Sequence, residues 1–356
     1  MSTRQVGIKD VAAAAGVSVA TVSQVLNNVA YARVGAETRD RVHQAARRLG
    51  YGPNRLAQAL RTRRSDVIGV ICEDMATAPN SGLVILGSVE AAKVRGYTIM
   101  IINAPGTGPD GSGDAGVATL MDRQVDGILY AAKGRRRLRV PAGLVGLPAV
   151  LVDAEDMGHS VSSVIPDEED GARTAVQTLI DAGHTRIGMI TSTDDVPEAH
   201  SRLLAFKDTL VDAGLEFRAE LVQSEPSTDA AGGYRAALRL MQRDRRPTAV
   251  FCFNDLMAMG LYRAAAELGF SIPDELSVVG FDNQELIAGN LHPALTTVSL
   301  PHYEMGARAV EILIDAIEGN TGPGPLTALP AVLPCTLVAR DSVAPPSGQA
   351  VTPWAR

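Results

Sequence analysis

The stretch IKDVAAAAGVSVATVSQVLNN, residues 8–28, sets two short apolar periodicities on either side of a glycine. Ile8, Val11, Ala12 and Ala15 recur at helical spacing, and Val22, Val25 and Leu26 recur after the break. Between them, Gly16-Val17-Ser18 supplies a tight turn, with Ser18 placed as the N-cap of the next segment. The spacing predicts helices over 8–15 and 19–26 joined as a helix-turn-helix. A third helix is expected from Ala36 to Leu49, with Gly50 placed to stop it. Packing through Val11, Val22, Leu26, Val42 and Leu49 leaves one face of the second helix free. Val19, Ala20, Ser23 and Gln24 occupy that face near the helix start, the part that meets base edges in the major groove in such motifs.

Charge supports the same reading. The chain of 356 residues carries a net charge of -7, but residues 1–64 hold eleven Lys/Arg against three Asp/Glu, a net +8, which leaves 22 basic and 37 acidic residues, a net -15, for the rest. A polyanion responds to the local field rather than the total, so a basic head on an acidic body suits nucleic acid. With 46% hydrophobic residues, the chain is expected to bury a substantial core. No apolar run is long enough to span a bilayer and MSTRQVGIKD has no hydrophobic signal region, so a cytoplasmic protein without a membrane partner is expected.

From Val67 onward the pattern changes. VIGVIC, YTIMIIN, GILYAA and AVLVD, then RIGMITST, ELVQS, AVFCFN and LSVVGFD, alternate with amphipathic stretches. Such alternation predicts parallel sheets in an α/β body. The run breaks near Ser162 to Asp167, which divides the body into two similar half-domains with crossovers expected near 163, 290 and 323. Ligands in such sheets bind beyond the carboxyl ends of the strands, where the halves face each other.

Residues 8–64 resemble the DNA-binding head of the lactose-repressor/galactose-repressor (LacI/GalR) family of bacterial transcription regulators. The resemblance rests on DVA-x-x-AGVS-x-x-TVS-x-VLN, followed by ETR-x-RV and LGY-x-PN-x-x-A-x-x-L. It extends over the body, most clearly in PTAVFCFNDLMAMGLYRAAAELGFSIPDELSVVGFDNQEL and PALTTVSLPHYEMGARAVEILIDAI, which look like that family's periplasmic-binding-protein-like core. The implied fold is α/β: a helix-turn-helix head on a body of two Rossmann-like half-domains. The implied domains are a head over 1–53, a hinge helix and linker over 54–65, an effector-binding and dimerisation domain over 66–340, and a flexible tail over 341–356.

By this resemblance Val19, Ala20 and Gln24 read bases, while Thr21, Ser23 and Asn27 support the contact to the DNA backbone. Plain helix packing and capping is the competing reading of Thr21 and Ser23. Ala57 and Leu60 belong to the implied hinge helix, whose leucine wedges into the minor groove and bends the duplex; an ordinary linker packed on the body is the alternative. Position 24 commonly holds Arg in this family. Arg pairs with guanine O6 and N7, whereas Gln matches adenine N6 and N7.

Four positions carry over to the effector cleft: Asp153, Arg202, Asn254 and Asp282. An Arg fork with carboxylates offers fixed donors and acceptors, which suits a ligand rich in hydroxyls. The same residues admit other readings. Asp282 can cap a helix at Asn283, and Arg202 can pair with Asp194 or Glu198 on the surface, while Asp255 is expected to serve only as an N-cap. Where the family commonly has aromatic residues, EDMATAPNSGLVILG places Ser81 and Gly82, so a more open pocket admitting an oligosaccharide is expected.

The implied protein is a homodimeric transcription regulator, a repressor, on near-palindromic operator DNA, controlled by a small-molecule effector, a sugar or oligosaccharide. A purine or other non-sugar effector is the alternative, and a sugar-binding protein without a DNA role is the remaining one. Dimerisation is expected through apolar faces of the body, near the helix Glu304 to Ile317. No GxSxG, HExxH or paired metal motif is present, so no enzyme, cofactor or metal is expected. Cys72, Cys252 and Cys335 read as buried thiols. GTGPDG at 106–111 satisfies G-x-G-x-x-G, but Pro109 and the Gly/Ser/Asp run after it argue for a loop rather than a dinucleotide site. KGRRRLRV at 133–140 is expected to be a solvated loop.

Overall fold

Ser18 starts the second helix as expected: its Oγ accepts the backbone N–H of Thr21 at 3.1 Å. The computed structural model describes residues 6–27, 33–52, 64–73, 81–104, 113–320 and 329–347. Helices α1 (Ile8–Ala15), α2 (Val19–Leu26) and α3 (Ala36–Leu49) form the head. Gly16 and Gly50 end α1 and α3 at φ 65° and 64°, a left-handed conformation open to glycine. Val11, Ala12, Ala15, Val22, Val25, Val42, Ala45 and Ala46 are buried between the helices, with Leu26 and Leu49 packed at the margin. The head, Met1–Asp66, and the body, Val67–Arg356, are separate units.

In the body, β1 (Val67–Glu73), α4 (Ser81–Val94), β2 (Thr98–Ala104), α5 (Gly113–Asp122), β3 (Gly127–Leu138), β4 (Ala149–Asp156) and β5 (Ser162–Pro166) build the first half. The second half follows with α6 (Glu168–Asp181), β6 (Ile187–Ser192), α7 (Pro197–Asp212), β7 (Val222–Glu225), α8 (Ala230–Met241), β8 (Ala249–Cys252), α9 (Asp255–Leu268), β9 (Ser277–Asp282), α10 (Glu285–Ala288) and β10 (Thr296–Ser299). Then α11 (His302–Glu318) and β11 (Ala331–Leu333) return to the first half, and β12 (Thr336–Val338) to the second. The sheet orders are β2-β1-β3-β4-β5-β11 and β7-β6-β8-β9-β10-β12, the same path twice. Among the described residues all strand pairings are parallel except β12 on β10, an antiparallel edge. Strands such as β6 and β8 are buried along their whole length, as parallel strands covered on both faces must be.

The structure moves the expected crossovers. The chain leaves the first half between Pro166 and Glu168, just after Ser163, but crosses back only between Ser299 and His302, and last between Leu333 and Thr336. Near 290 the chain still belongs to the second half, because Leu291 and Leu295 pack into its core. The position near 323 lies outside the described residues. The expected tail is corrected over 341–347, while 348–356 lie outside the described residues. Ser342 is fully buried, and its Oγ accepts the N–H of Thr296 at 2.8 Å and donates to the Val278 carbonyl at 2.6 Å. The Ala344 N–H donates to Ser277 Oγ at 3.0 Å, and the Ala344 carbonyl lies 2.9 Å from His184 Nε2. Residues 341–347 are therefore a strap on the second half, held by hydrogen bonds that apolar periodicity does not register.

The apolar side of α11 (Met305, Ala309, Val310, Leu313 and Ile314) is buried in the first half's core. It lies so close to α4 that a Cβ on Gly306 would sit 2.1 Å from the Val84 carbonyl oxygen. The exposed large apolar residues of α4 are Leu83, Leu86, Val89 and Val94, and Ile101 is exposed on the edge strand β2. All three cysteines are free and buried thiols. Among the described residues no group of His, Cys, Asp and Glu is arranged to hold a metal ion, and no helix is long and apolar enough to cross a membrane. GTGPDG lies outside the described residues.

Candidate functional site

In the head, Val22 and Val25 turn inward, which by helical geometry turns Val19, Ala20 and Gln24 outward; all three are exposed. Thr21, Ser23 and Asn27 are half-buried and engaged locally. Thr21 Oγ1 lies 2.9 Å from Ser18 Oγ, and Asn27 Nδ2 donates to the Ser23 carbonyl at 2.8 Å and to Ser23 Oγ at 3.2 Å. These contacts brace the turn and the helix end beneath the exposed face. Ala57 and Leu60 lie outside the described residues.

In the body, a cavity of about 220 Å³ opens between the halves and is lined by Asp153, Arg202 and Asp282 of the four expected residues, with Glu168, Glu198 and His302 added. Arg202, 3% exposed, comes from the first turns of α7. Its Nε and Nη2 donate to Glu168 at 2.6 and 3.2 Å, and its Nη1 to the Phe253 carbonyl at 2.5 Å. Its guanidinium carbon Cζ lies 3.8 Å from the Phe281 ring centre and 4.5 Å from that of Phe253. Burial opposes its charge, but Glu168 outweighs that and holds Arg202 protonated. The surface pairing with Asp194 or Glu198 is thus replaced by a buried bidentate pair.

Asp153 and Asp282 stand in the left-handed region at φ 58° and 100°, unusual for non-glycine residues and common where a site aims a side chain. Asp282 Oδ1 is 3.9 Å from Arg202 Nη2, and its Oδ2 accepts from Gln284 Nε2 at 3.2 Å. Burial raises Asp282 to about 6 against the pull of Arg202. Burial raises Asp153 further, to about 8, with Glu168 and Glu198 adding to it. Glu198 rises to about 7, again by burial first. His302 is lowered to about 4 by burial and Arg202, so its imidazole is neutral at pH 7.

Asn254 does not line the cavity, which corrects its expected role. Its Oδ1 caps α9 by accepting the Met257 N–H at 2.8 Å, and its Nδ2 donates to the Thr228 carbonyl at 2.9 Å. Asp255, expected to be only the cap, is fully buried one residue further on. It accepts from Thr297 Oγ1 at 2.6 Å and from the Gln284 N–H at 2.7 Å. It braces β10 and the segment after Asp282. The two adjacent residues exchange roles because either side chain is a good N-cap, and only the register of the helix decides.

KGRRRLRV is not a loop: β3 runs to Leu138, with its pairing to β4 shifted between Ala131 and Arg136. The bulge places Lys133, Gly134 and Arg135 in the cavity wall. Gly134 takes φ 76°, and a Cβ there would meet Glu198 Oε1 at 3.3 Å, so the first half's bulge touches the second half's α7 at this point. Arg135 Nη2 donates to Glu155 at 2.7 Å. Glu73 receives hydrogen bonds from Tyr130, Arg136 and the Lys133 N–H.

A basic three-helix head with one exposed face on its second helix, and a body of two Rossmann-like halves around a cavity lined by charged residues, match known proteins along almost the whole chain. Residues 7–54 match the bacterial regulatory proteins of the lacI family, and residues 176–343 a periplasmic binding protein-like domain. The ribose operon repressor of Haemophilus influenzae is 33% identical over 94% of this chain and 98% of its own length. This chain belongs to the LacI family. The PurR repressor of Pectobacterium atrosepticum is 33% identical over 87% of this chain and 90% of its own. The solved structure of the lac repressor bound to ONPG in its repressed state superposes with a TM-score of 0.77 at 28% identity, covering 96% of this chain and all of that one. As a LacI-family protein, the chain is a DNA-binding transcription regulator with an effector-binding body.

Proposed function

We propose that this LacI-family regulator is a homodimeric repressor that reads a near-palindromic operator with Val19, Ala20 and Gln24 and is controlled by a carbohydrate bound among Asp153, Arg202 and Asp282. The observation that carries the effector reading is the Arg202 fork, held by Glu168, beside the carboxylates of Asp153 and Asp282. A ring of hydroxyls satisfies donors and acceptors in fixed directions, whereas an apolar ligand leaves them unpaired. A purine is the second reading, favoured by the likeness to PurR. Phe253 is the cavity's one aromatic carbocycle among the described residues, and Arg202 already lies against its ring.

Leu83, Leu86 and Val89 with Ile101 form the apolar face that supports dimerisation of the body. No catalytic role is assigned to the chain, and its place of action is the cytoplasm, with its DNA. Operator affinity measured at fixed salt against a panel of sugars and nucleobases tests the reading, since phosphate contacts make affinity salt-dependent. A shift with sugars is expected, in a direction set by which state the ligand prefers. A shift with nucleobases alone overturns the carbohydrate assignment, and DNA binding that survives deletion of residues 1–64 overturns the role of the head.

A further inference from the structure

Each half of the cleft leaves one carboxylate oxygen without a partner. Asp153 Oδ1 from β4 and Glu198 Oε2 from the first turn of α7 are sealed from solvent and meet no hydrogen-bond donor among the described residues. Both residues line the cavity, and so do Arg135 and His302, whose Nε and Nε2 are also buried and unmatched. Unmatched acceptors and an unmatched donor in one small cavity call for a group that donates and accepts through the same atom. A hydroxyl does both, while a phosphate or carboxylate oxygen only accepts.

The sign of the lining points the same way. Glu73, Glu168 and Asp282 face Lys133, Arg135 and Arg202, with His302 neutral and burial holding Asp153 and Glu198 towards their protonated forms, so the lining has no net charge to attract an anion. Arg135 Nη2 already donates to Glu155, and Arg202 to Glu168, so each guanidinium charge is already opposed by a carboxylate. The charged groups acting on both Asp153 and Glu198 are Glu168, Arg135 and Arg202, and the two carboxylates come from opposite halves. An anionic ligand placed between them would add a like charge beside two carboxyls that burial already keeps from ionising.

We propose that the effector is an uncharged polyhydroxylated molecule that gives hydroxyl hydrogens to Asp153 and Glu198 together, and that Glu198 is the residue that selects against phosphorylated and carboxylated sugars. This rests on the carbohydrate reading of the cleft. Glu198 bears on it separately, because it reaches the cavity from the second half and stands against Gly134 of the first. An uncharged ligand bonded to both carboxylates therefore ties the halves together.

The test is calorimetric titration of the full-length protein with neutral aldoses and disaccharides, each paired with its own 6-phosphate and uronic acid. In the unsubstituted protein, the neutral member of the binding pair is expected to bind at least tenfold more tightly than its anionic partners. Glu198→Gln, which keeps the shape and removes the charge, is expected to narrow that ratio severalfold, and Asp153→Asn to weaken the neutral sugar. A phosphate or uronate that binds as tightly as its neutral counterpart overturns the proposal while leaving the carbohydrate reading intact. An unchanged ratio in a Glu198→Gln protein that unfolds at the normal urea midpoint overturns the role of Glu198. If no sugar binds and a nucleobase does, both readings fall.

Discussion

Arg202 holds Glu168 by two hydrogen bonds, at 2.6 and 3.2 Å, and neither side chain is more than 4% exposed. The pair joins the first turn of α6, immediately after the first crossover, to α7. Removing one member of such a pair strands the other charge. Arg202→Met is expected to cost about 3–5 kcal/mol of body stability, and adding Glu168→Leu to restore much of it. Urea unfolding of the two variants measures this, and a double variant no more stable than the single would contradict it.

The raised carboxyls set a pH dependence. Asp153, Glu198 and Asp255, raised to about 8, 7 and 7, keep protons in the folded chain at pH values where the unfolded chain has lost them. Unfolded carboxyls titrate near about 4, so over this range the folded state binds more protons and stability falls as pH rises. His184 and His302, lowered by burial, act in the opposite sense, but only below the ordinary histidine value of about 6.5. Between about pH 6.5 and 8 the melting temperature of the effector-free protein is therefore expected to decline. A bound sugar that donates to Asp153 and Glu198 flattens the slope. Scanning calorimetry with and without ligand checks both.

In the head, Gln24→Arg is expected to shift preference at one base pair from adenine towards guanine, by about 1–3 kcal/mol of discrimination. Selection from a randomised operator library reads this directly. Identical base profiles for the two proteins would remove Gln24 from the reading face.

Gly306 is a packing position. A Cβ there would lie 2.1 Å from the Val84 carbonyl oxygen, and one on Gly87 would lie 2.0 Å from that of Tyr303, so α4 and α11 meet backbone to backbone. Gly306→Ala forces them apart and is expected to destabilise the body by about 1–3 kcal/mol. Chemical denaturation at equal protein concentration measures the loss.

Leu83→Glu with Leu86→Glu places two charges on the exposed face of α4. Sedimentation is expected to report a shift towards monomer and operator affinity to fall with it, with sugar binding retained. A stable dimer would move the interface elsewhere.

The head was legible because its signals are local: a glycine turn, a serine cap, and helical spacing within eight residues. Most strands of the body were legible as apolar runs. The crossovers were not, since β5 and β10 read SSVIP and TTVS, short and hydroxyl-rich, and the strap depends on Ser277 and Ser342 pairing across the chain. Asp153, Arg202 and Asp282 reached the cavity through family resemblance. Glu168, Glu198 and His302 gave no such signal, because their meaning comes from packing against residues distant in sequence. The Asn254 and Asp255 exchange turned on a single residue of helix register.

The triple crossing has a consequence for biosynthesis. The first half has all but one of its strands by Pro166 yet waits for α11, and the second cannot fasten Ser277, Val278 and Thr296 until Ser342 and Ala344 exist. At a ribosomal pace of about 5–20 residues per second, the wait from Pro166 to the end of α11 lasts roughly 8–30 s. Through that interval the apolar face of the first half that α11 later covers stays open, so the core of that half closes only after nearly the whole chain has been made, whereas the head, a separate unit, needs nothing beyond its own three helices.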